Sequence, residues 1–251
     1  MTKKNAAVPP AGGFPALDFE RPLVTVDVAV FTLAASGLQV LLVQRPHGGD
    51  EPCPGSWALP GGFVDVQRDN SLEDCALRKL REKTSIASPY LEQVGSRGGR
   101  TRDPRGWSAT HVYFALLPHA ELQPGRGGNA ADVGWFDIQL DGSVPGAGVL
   151  AFDHDELLRH AMERLQSKVE YTSLPAFLLT EPFTQPQLQG AYEAVLGRRL
   201  DRSAFRRRAL SMPHFLREAG VIHTGAPRAP QGYVLEHREA PLVFPRTFEP
   251  R

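Results

Sequence analysis

The hydrophobic positions of the chain fall into short β-branched runs and longer stretches at helical spacing. Val24 to Leu33 (VTVDVAVFTL) is rich in β-branched residues, and Leu38 to Val43 (LQVLLV) follows a break at Gly37, so the two predict a β-hairpin. A Pro/Gly loop, Pro46 to Gly55, leads to Trp57-Ala58-Leu59 and the turn Pro60-Gly61-Gly62. Ser71-Leu72-Glu73-Asp74 has the form of a capping box with Ser71 as N-cap. The helix it opens runs to about Lys83, with Leu72, Cys75, Ala76 and Leu80 as its apolar side. Thr110 to Leu117 and Val133 to Phe136 read as further strands. Asp155 to Lys168 reads as an amphipathic helix through Leu157, Leu158, Ala161 and Leu165. Strands mixed with two helices predict an α+β or α/β layered fold.

The texture changes after about residue 170. Pro186 to Leu196 predicts a short helix stopped by Gly197, and Asp201 caps a second, Arg202 to Leu210. Val221 to His223 and Tyr233 to His237 flank a Gly/Pro-rich loop and suit a hairpin. Helix, turn, helix, hairpin is the outline of a winged helix-turn-helix. The expected division is a flexible tail over 1–20, a first domain over 21–170 and a winged helix over 171–251.

Composition adds two constraints. With 41% hydrophobic and 22% charged residues the 251-residue chain is globular in character, and no apolar run approaches the ~20 residues of a membrane helix. The N-terminus lacks the apolar stretch of a secretory signal, and Cys53 and Cys75 have neither disulfide-framework nor metal-ligand spacing, so a reducing cytoplasm is expected. The net charge is zero but unevenly divided: residues 176–251 hold eleven Arg against seven acids. That asymmetry fits either a basic module tied to an acidic one or an uneven solvated surface.

Leu59-Pro60-Gly61-Gly62-Phe63-Val64-Asp65, followed by Arg78-Lys79-Leu80-Arg81-Glu82-Lys83-Thr84-Ser85-Ile86, resembles the Nudix box, G-x5-E-x7-R-E-U-x-E-E-x-G-U. In that motif helix carboxylates hold Mg²⁺ against a substrate pyrophosphate, because hard divalent ions are bound by clustered oxygen ligands. Gly62, Arg78, Leu80, Glu82 and Ile86 are kept. Asn70 stands for the first glutamate, seven residues rather than five separate it from Gly62, and Lys79, Lys83 and Ser85 replace two further glutamates and the glycine. Two lysines beside one glutamate make a poor Mg²⁺ site. Lys79 and Lys83 either pair with a phosphate in place of the metal or stay solvated on a site that has lost it.

The second chemical signature is Leu-Asp-Arg-Ser-Ala-Phe-Arg-Arg-Arg-Ala-Leu from Leu200 to Leu210. On a helix Phe205, Ala209 and Met212 point inward, while Ser203, Arg206 and Arg207 lie on the far side and Arg202 on a flank. Such a face suits base and phosphate contacts in a major groove, with Arg198 and Arg199 placed to hold the DNA backbone.

Taken together, the chain is similar to the Nudix-related transcriptional regulators of NAD metabolism, the NrtR family, from about Val24 to Tyr233. The resemblance also includes Leu41-Leu42-Val43-Gln44-Arg45, Arg102-Asp103-Pro104-Arg105-Gly106-Trp107, Leu150-Ala151-Phe152-Asp153-His154 and Tyr171-Thr172-Ser173-Leu174. It implies an α/β/α Nudix-like sandwich followed by a winged helix, a homodimer, ADP-ribose or a related nucleotide as effector, and duplex operator DNA as target. An effector site is then expected among Arg45, Gly61, Gly62 and the motif residues Arg78, Lys79, Glu82 and Lys83. Arg102 and Arg105 sit in a loop that either covers the nucleotide or is simply mobile, Arg45 is equally suited to a surface role, and His154 is expected to cap or pack locally. No catalytic residue, metal or cofactor is expected. Two other readings compete. One is a metal-dependent pyrophosphohydrolase in which Asp65, Asp69 or Glu73 joins Glu82. The other is an RNA- or partner-binding module with the Nudix fold as scaffold.

Overall fold

The computed structural model describes residues 20–48, 50–85, 90–119, 130–222 and 229–245. The expected tail but for Glu20, Ile86 of the Nudix-like motif and His223 of the expected hairpin lie outside these residues. The first part of the chain runs β1 (Leu23–Ala34), β2 (Gly37–Gln44), β3 (Trp57–Ala58), β4 (Gly61–Phe63), α1 (Leu72–Thr84), β5 (Leu91–Gly99), β6 (Ser108–Leu117), β7 (Asp132–Asp137) and α2 (His154–Val169). The second runs β8 (Phe183–Thr184), α3 (Gln185–Leu196), α4 (Arg202–Ser211), β9 (Leu216–Val221) and β10 (Gln231–Leu235).

Strand β1 organises a seven-stranded mixed sheet. It pairs antiparallel with β2 and β4 and parallel with β6, from Leu23↔Ser108 to Thr32↔Leu117. Because side chains alternate across a strand, β1 serves two layers at once. Val26, Val28 and Val30 meet Cys75, Ala76 and Leu80 of α1 on one face. Ala29 and Phe31 join Leu157, Leu158, Ala161 and Leu165 of α2 on the other. Tyr113, Ala115 and Leu117 of β6 go with the α1 layer, and Val112, Phe114 and Leu116 with the α2 layer. This is the expected α/β/α sandwich.

The apolar cluster under α2 does not stop at residue 170. It continues through the 3₁₀ turn Leu174–Leu178 into Tyr192 of α3, Phe205 of α4 and Phe244. Tyr192 donates its hydroxyl to the Thr172 carbonyl at 2.7 Å and meets Phe205 edge-on at 5.2 Å between centroids. Residues 242–244 bond back onto the connecting segment: Leu242 N–H donates to Ser173 Oγ at 2.8 Å and Phe244 N–H to the Tyr171 carbonyl at 2.7 Å.

The structure departs from the sequence expectation at three strands. The wing strand β9 starts at Leu216 rather than Val221, because its residues are mostly exposed and carry no apolar alternation. Strand β5, with its Gly-, Ser- and Arg-rich half, is held by backbone pairing to β6 rather than by side-chain burial. The two-residue β8 completes the winged-helix sheet in the order β8-β10-β9.

Helix α1 is fixed at its start by two kinds of contact. Ser71 Oγ accepts from Asp74 N–H at 3.0 Å, as the capping sequence requires. Ahead of the cap, Arg78 clamps Asp69 with a two-pronged pair at 2.6 and 2.5 Å. The Asp69 side chain is 1% exposed and also accepts from the Asp65 N–H, so the Val64–Asn70 loop folds around one buried carboxylate. The Arg78 guanidinium, burial notwithstanding, holds that carboxyl well below the usual carboxylate range. Burial and the neighbouring Asp69 push the Cys75 thiol up to about 12, leaving an inert small hydrophobe.

Arg78→Ala leaves the buried Asp69 without its partner and should cost about 3–5 kcal/mol in urea unfolding. A loss below about 1 kcal/mol, the range of exposed ion pairs, would show that the clamp does not hold the loop.

Candidate functional sites: a basic pocket and an arginine face

A pocket opens where the Gly61-Gly62 turn, α1, the β5–β6 connection and the start of α2 converge on β1 and β2. Of the residues expected at an effector site, it brings together Arg45, Gly61, Gly62, Lys79, Lys83, Arg102 and Arg105. Arg78 and Glu82, expected with them, do not line it. They face the Val64–Asn70 loop, where Arg78 holds Asp69, and Glu82 takes Arg78 at 3.1 Å and Arg68 at 2.9 Å.

The floor is built on Asp27, a lone acid in the apolar run of β1, only 5% exposed. Thr110 Oγ1 donates to its Oδ2 at 2.7 Å, and an Arg102 guanidinium nitrogen lies 3.7 Å from the same oxygen. His154 closes the other side. Its Nδ1 accepts from Leu59 N–H at 2.9 Å, and its Nε2 faces Asp27 Oδ1 at 3.7 Å. Burial, stronger than the pull of Asp27, holds the imidazole below its ordinary value, so the ring is neutral and carries its proton on Nε2, toward Asp27. Arg102 is held from behind by both oxygens of Asp153, at 2.9 and 2.7 Å. The turn must be glycine here: a Cβ on Gly61 would run into the Asp27 carboxylate and the Val26 carbonyl, and Gly62 takes φ +147° beneath the Lys79 side chain.

The walls are cationic and aromatic. Arg45 lies 4.9 Å over the Phe152 ring, and Arg105 lies 4.9 Å over Phe63 and 5.9 Å over Phe152. Phe152 adopts the left-handed φ of +57°, an unfavourable backbone for an aromatic residue of the kind found at ligand clamps. Arg45 is steadied by Glu51 at 2.7 Å and Arg105 by Asp103 at 2.8 Å. Burial first, then Lys79 and Arg45, lower the Lys83 ammonium from its usual range. Clustered cations that raise one another's energy are relieved by an anion placed between them.

A Mg²⁺ ion does not fit this donor set. Glu82 is shared among Arg78, Arg68 and, at 3.6 Å, Lys79; Asp69 is closed off by Arg78; and Asp65 turns back to accept from Gln67 N–H at 3.0 Å. Glu73 is exposed in the first turn of α1. Asp27, His154, Phe63 and Phe152 were absent from the sequence-derived site. An acid inside an apolar strand was the available signal for Asp27, whereas the aromatic walls form only when distant segments meet.

The second site is the outer face of α4. Asp201 Oδ1 caps the helix by accepting from Ala204 N–H at 2.8 Å. Phe205 and Ala209 are buried, and Arg202, Ser203, Arg206 and Arg207 are all exposed. Arg208 instead turns inward over Phe244, 5.8 Å from its centroid. In the turn before α4, Arg199 is paired with Glu193 at 2.9 Å yet 94% exposed, and Arg198 lies 3.5 Å from Glu170. Among the described residues no helix is long and apolar enough to cross a membrane.

Comparison with known proteins matches both parts of the chain. Residues 23–151 match the NUDIX domain family, and residues 175–235 match the NrtR DNA-binding winged helix domain. The chain is 41% identical over 238 residues to the ADPR responsive transcriptional repressor NtrR of Acinetobacter baylyi, covering 92% of this chain and 89% of that one. The crystal structure of Shewanella oneidensis NrtR complexed with a 27mer DNA is similar over 90% of this chain and 99% of its own, at 38% identity and a TM-score of 0.76. The NUDIX domain of the same Shewanella protein, complexed with ADP ribose, is 41% identical and covers 59% of this chain and 90% of its own, with a TM-score of 0.50. This chain, a Nudix domain joined to a winged helix, belongs to the NrtR family.

Proposed function

We propose that the protein is a transcriptional regulator that binds operator DNA through α4 under the control of ADP-ribose or a closely related nucleotide held in the basic pocket. The observation that carries this reading is the pairing of a metal-poor, cation-rich Nudix pocket with an exposed arginine helix on one continuous core. The relatives agree: one is by name ADPR responsive, and the Shewanella protein has been crystallised both with DNA and with ADP ribose. In this reading Lys79, Lys83, Arg45 and Arg105 meet the diphosphate, and the Phe63 and Phe152 rings cover the apolar faces of the nucleotide. Asp27, at the floor, accepts from a ribose hydroxyl. Arg78 and Glu82 support the site from outside.

The two sites are joined by α2. Its first residue, His154, forms the pocket floor, and its sixteen residues span about 24 Å. Its far end runs into Thr172, bonded to Tyr192, and into Glu170, beside Arg198. A ligand that repositions Arg102 or His154 therefore acts on a rigid rod ending at the winged helix. We take the working form to be a homodimer, one α4 per half-site, and the DNA target places it in the cytoplasm.

ADP-ribose should bind in calorimetry as well in EDTA as in Mg²⁺, and should not be hydrolysed at enzymatic rates, on the order of 1–10³ s⁻¹. Lys79→Glu should weaken binding by setting a negative charge against the phosphates. Abolition by the chelator would mean that a metal, not the lysines, receives the diphosphate.

On DNA, Arg206→Ala and Arg207→Ala should each cost about 1–3 kcal/mol at the operator and lower the ratio of operator to random-DNA affinity. Arg198→Ala should weaken all sequences alike and flatten the salt slope by about one unit. An unchanged ratio in both helix variants would remove α4 as the reader of base edges.

A further inference from the structure

At the base of the wing, on the side chains that follow α4 and β10, His214, Glu236 and His237 present three metal-ligating atoms within 4.8 Å of one another. Nothing in the pocket or in the arginine face uses them. We infer that these residues form a binding site for a borderline divalent cation of the zinc type, which would tie the end of the recognition helix to the wing.

The geometry is close to what such an ion requires. His214 Nδ1 and Glu236 Oε1 are 3.2 Å apart. With zinc–nitrogen and zinc–oxygen distances of about 2.0–2.2 Å, tetrahedral ligands stand roughly 3.3–3.5 Å from one another. The His214 and His237 rings have centroids 6.4 Å apart and are tilted by 35°, so small side-chain rotations bring both imidazoles onto one ion. Two imidazoles and one carboxylate with a fourth position left to water is a donor set for Zn²⁺ rather than for Mg²⁺ or Ca²⁺, which take oxygen ligands.

The ligands are carried on a fixed frame. Glu236 N–H donates to the Phe215 carbonyl at 3.1 Å, which locks the segment bearing His214 to the one bearing Glu236 and His237. Phe215, between them, is 2% exposed and packs edge-on against Phe244 at 5.2 Å. His214 itself takes the left-handed φ of +60°, the backbone that turns the chain from α4 into β9. All three side chains are exposed, so the site is open to exchange with free metal rather than sealed as a folding core.

The test is zinc calorimetry on the full chain, with Co²⁺ absorption as a second readout and circular dichroism as the folding control. His214→Asn removes the imidazole while keeping a residue that tolerates left-handed backbone; His237→Ala removes the second. We expect one zinc per chain whose affinity falls in each variant by at least the roughly 10–100-fold that even an outer-shell loss costs. The Co²⁺ spectrum should lack a thiolate charge-transfer band. No zinc binding by the native chain, affinity unchanged in the variants, or a thiolate band that points to a cysteine would each overturn the site.

Discussion

A carboxylate buried in the middle of an apolar strand must be satisfied, and satisfying Asp27 brings four separate segments of this protein to one place. Thr110 reaches it from β6, His154 from the head of α2, Arg102 from the β5–β6 connection, and the Gly61 backbone presses on it where no side chain would fit. Leaving such a group unpaired in the interior is costly, so these contacts are coupled rather than independent. The pocket is the concave space left above them. The glycine turn, the placement of Arg102 and the anchoring of α2 all bear on this one acid in β1.

The same scaffold carries a Nudix-like motif whose acids are largely replaced or already paired. On α1 lysines stand where the Nudix motif has carboxylates; the Glu82 that persists is engaged by Arg78 and Arg68, and Asp69 in the preceding loop is engaged by Arg78. What remains facing the pocket is positive charge confined near aromatic rings. Such an arrangement suits a diphosphate better than a hard cation, which is the basis of the proposed effector site. The energy of binding is then free to act on conformation, and α2 is the stiff element that begins in the pocket and ends at the winged helix.

Much of this was legible in the sequence because it is governed by local rules. The β-branched runs of β1 and β2, the caps at Ser71 and Asp201, and the split of α4 into a Phe205–Ala209 side and an arginine side depend on neighbours within a turn or a strand. The lost glutamates were also visible one residue at a time. What escaped depends on distant partners. Counting back from Arg78 points to Asn70, but the carboxylate that Arg78 holds is its neighbour Asp69, a pairing across the loop that spacing alone does not give. Arg78 and Glu82, expected beside the lysines, lie outside the pocket lining and face the Val64–Asn70 loop. Strand β9 is held by its ladder to β10, with no buried face to announce it.

If the pocket governs the arginine helix, operator affinity must depend on whether the pocket is filled. The most direct measurement is the dissociation constant for operator DNA at zero and at saturating ADP-ribose, taken at one fixed salt concentration. The expected change is about 5–150-fold, the ordinary range of coupling between linked sites, and operator DNA must alter ADP-ribose affinity by the same factor. Equal operator affinity at both ADP-ribose concentrations would contradict the account, because a ligand that binds both states equally well shifts neither.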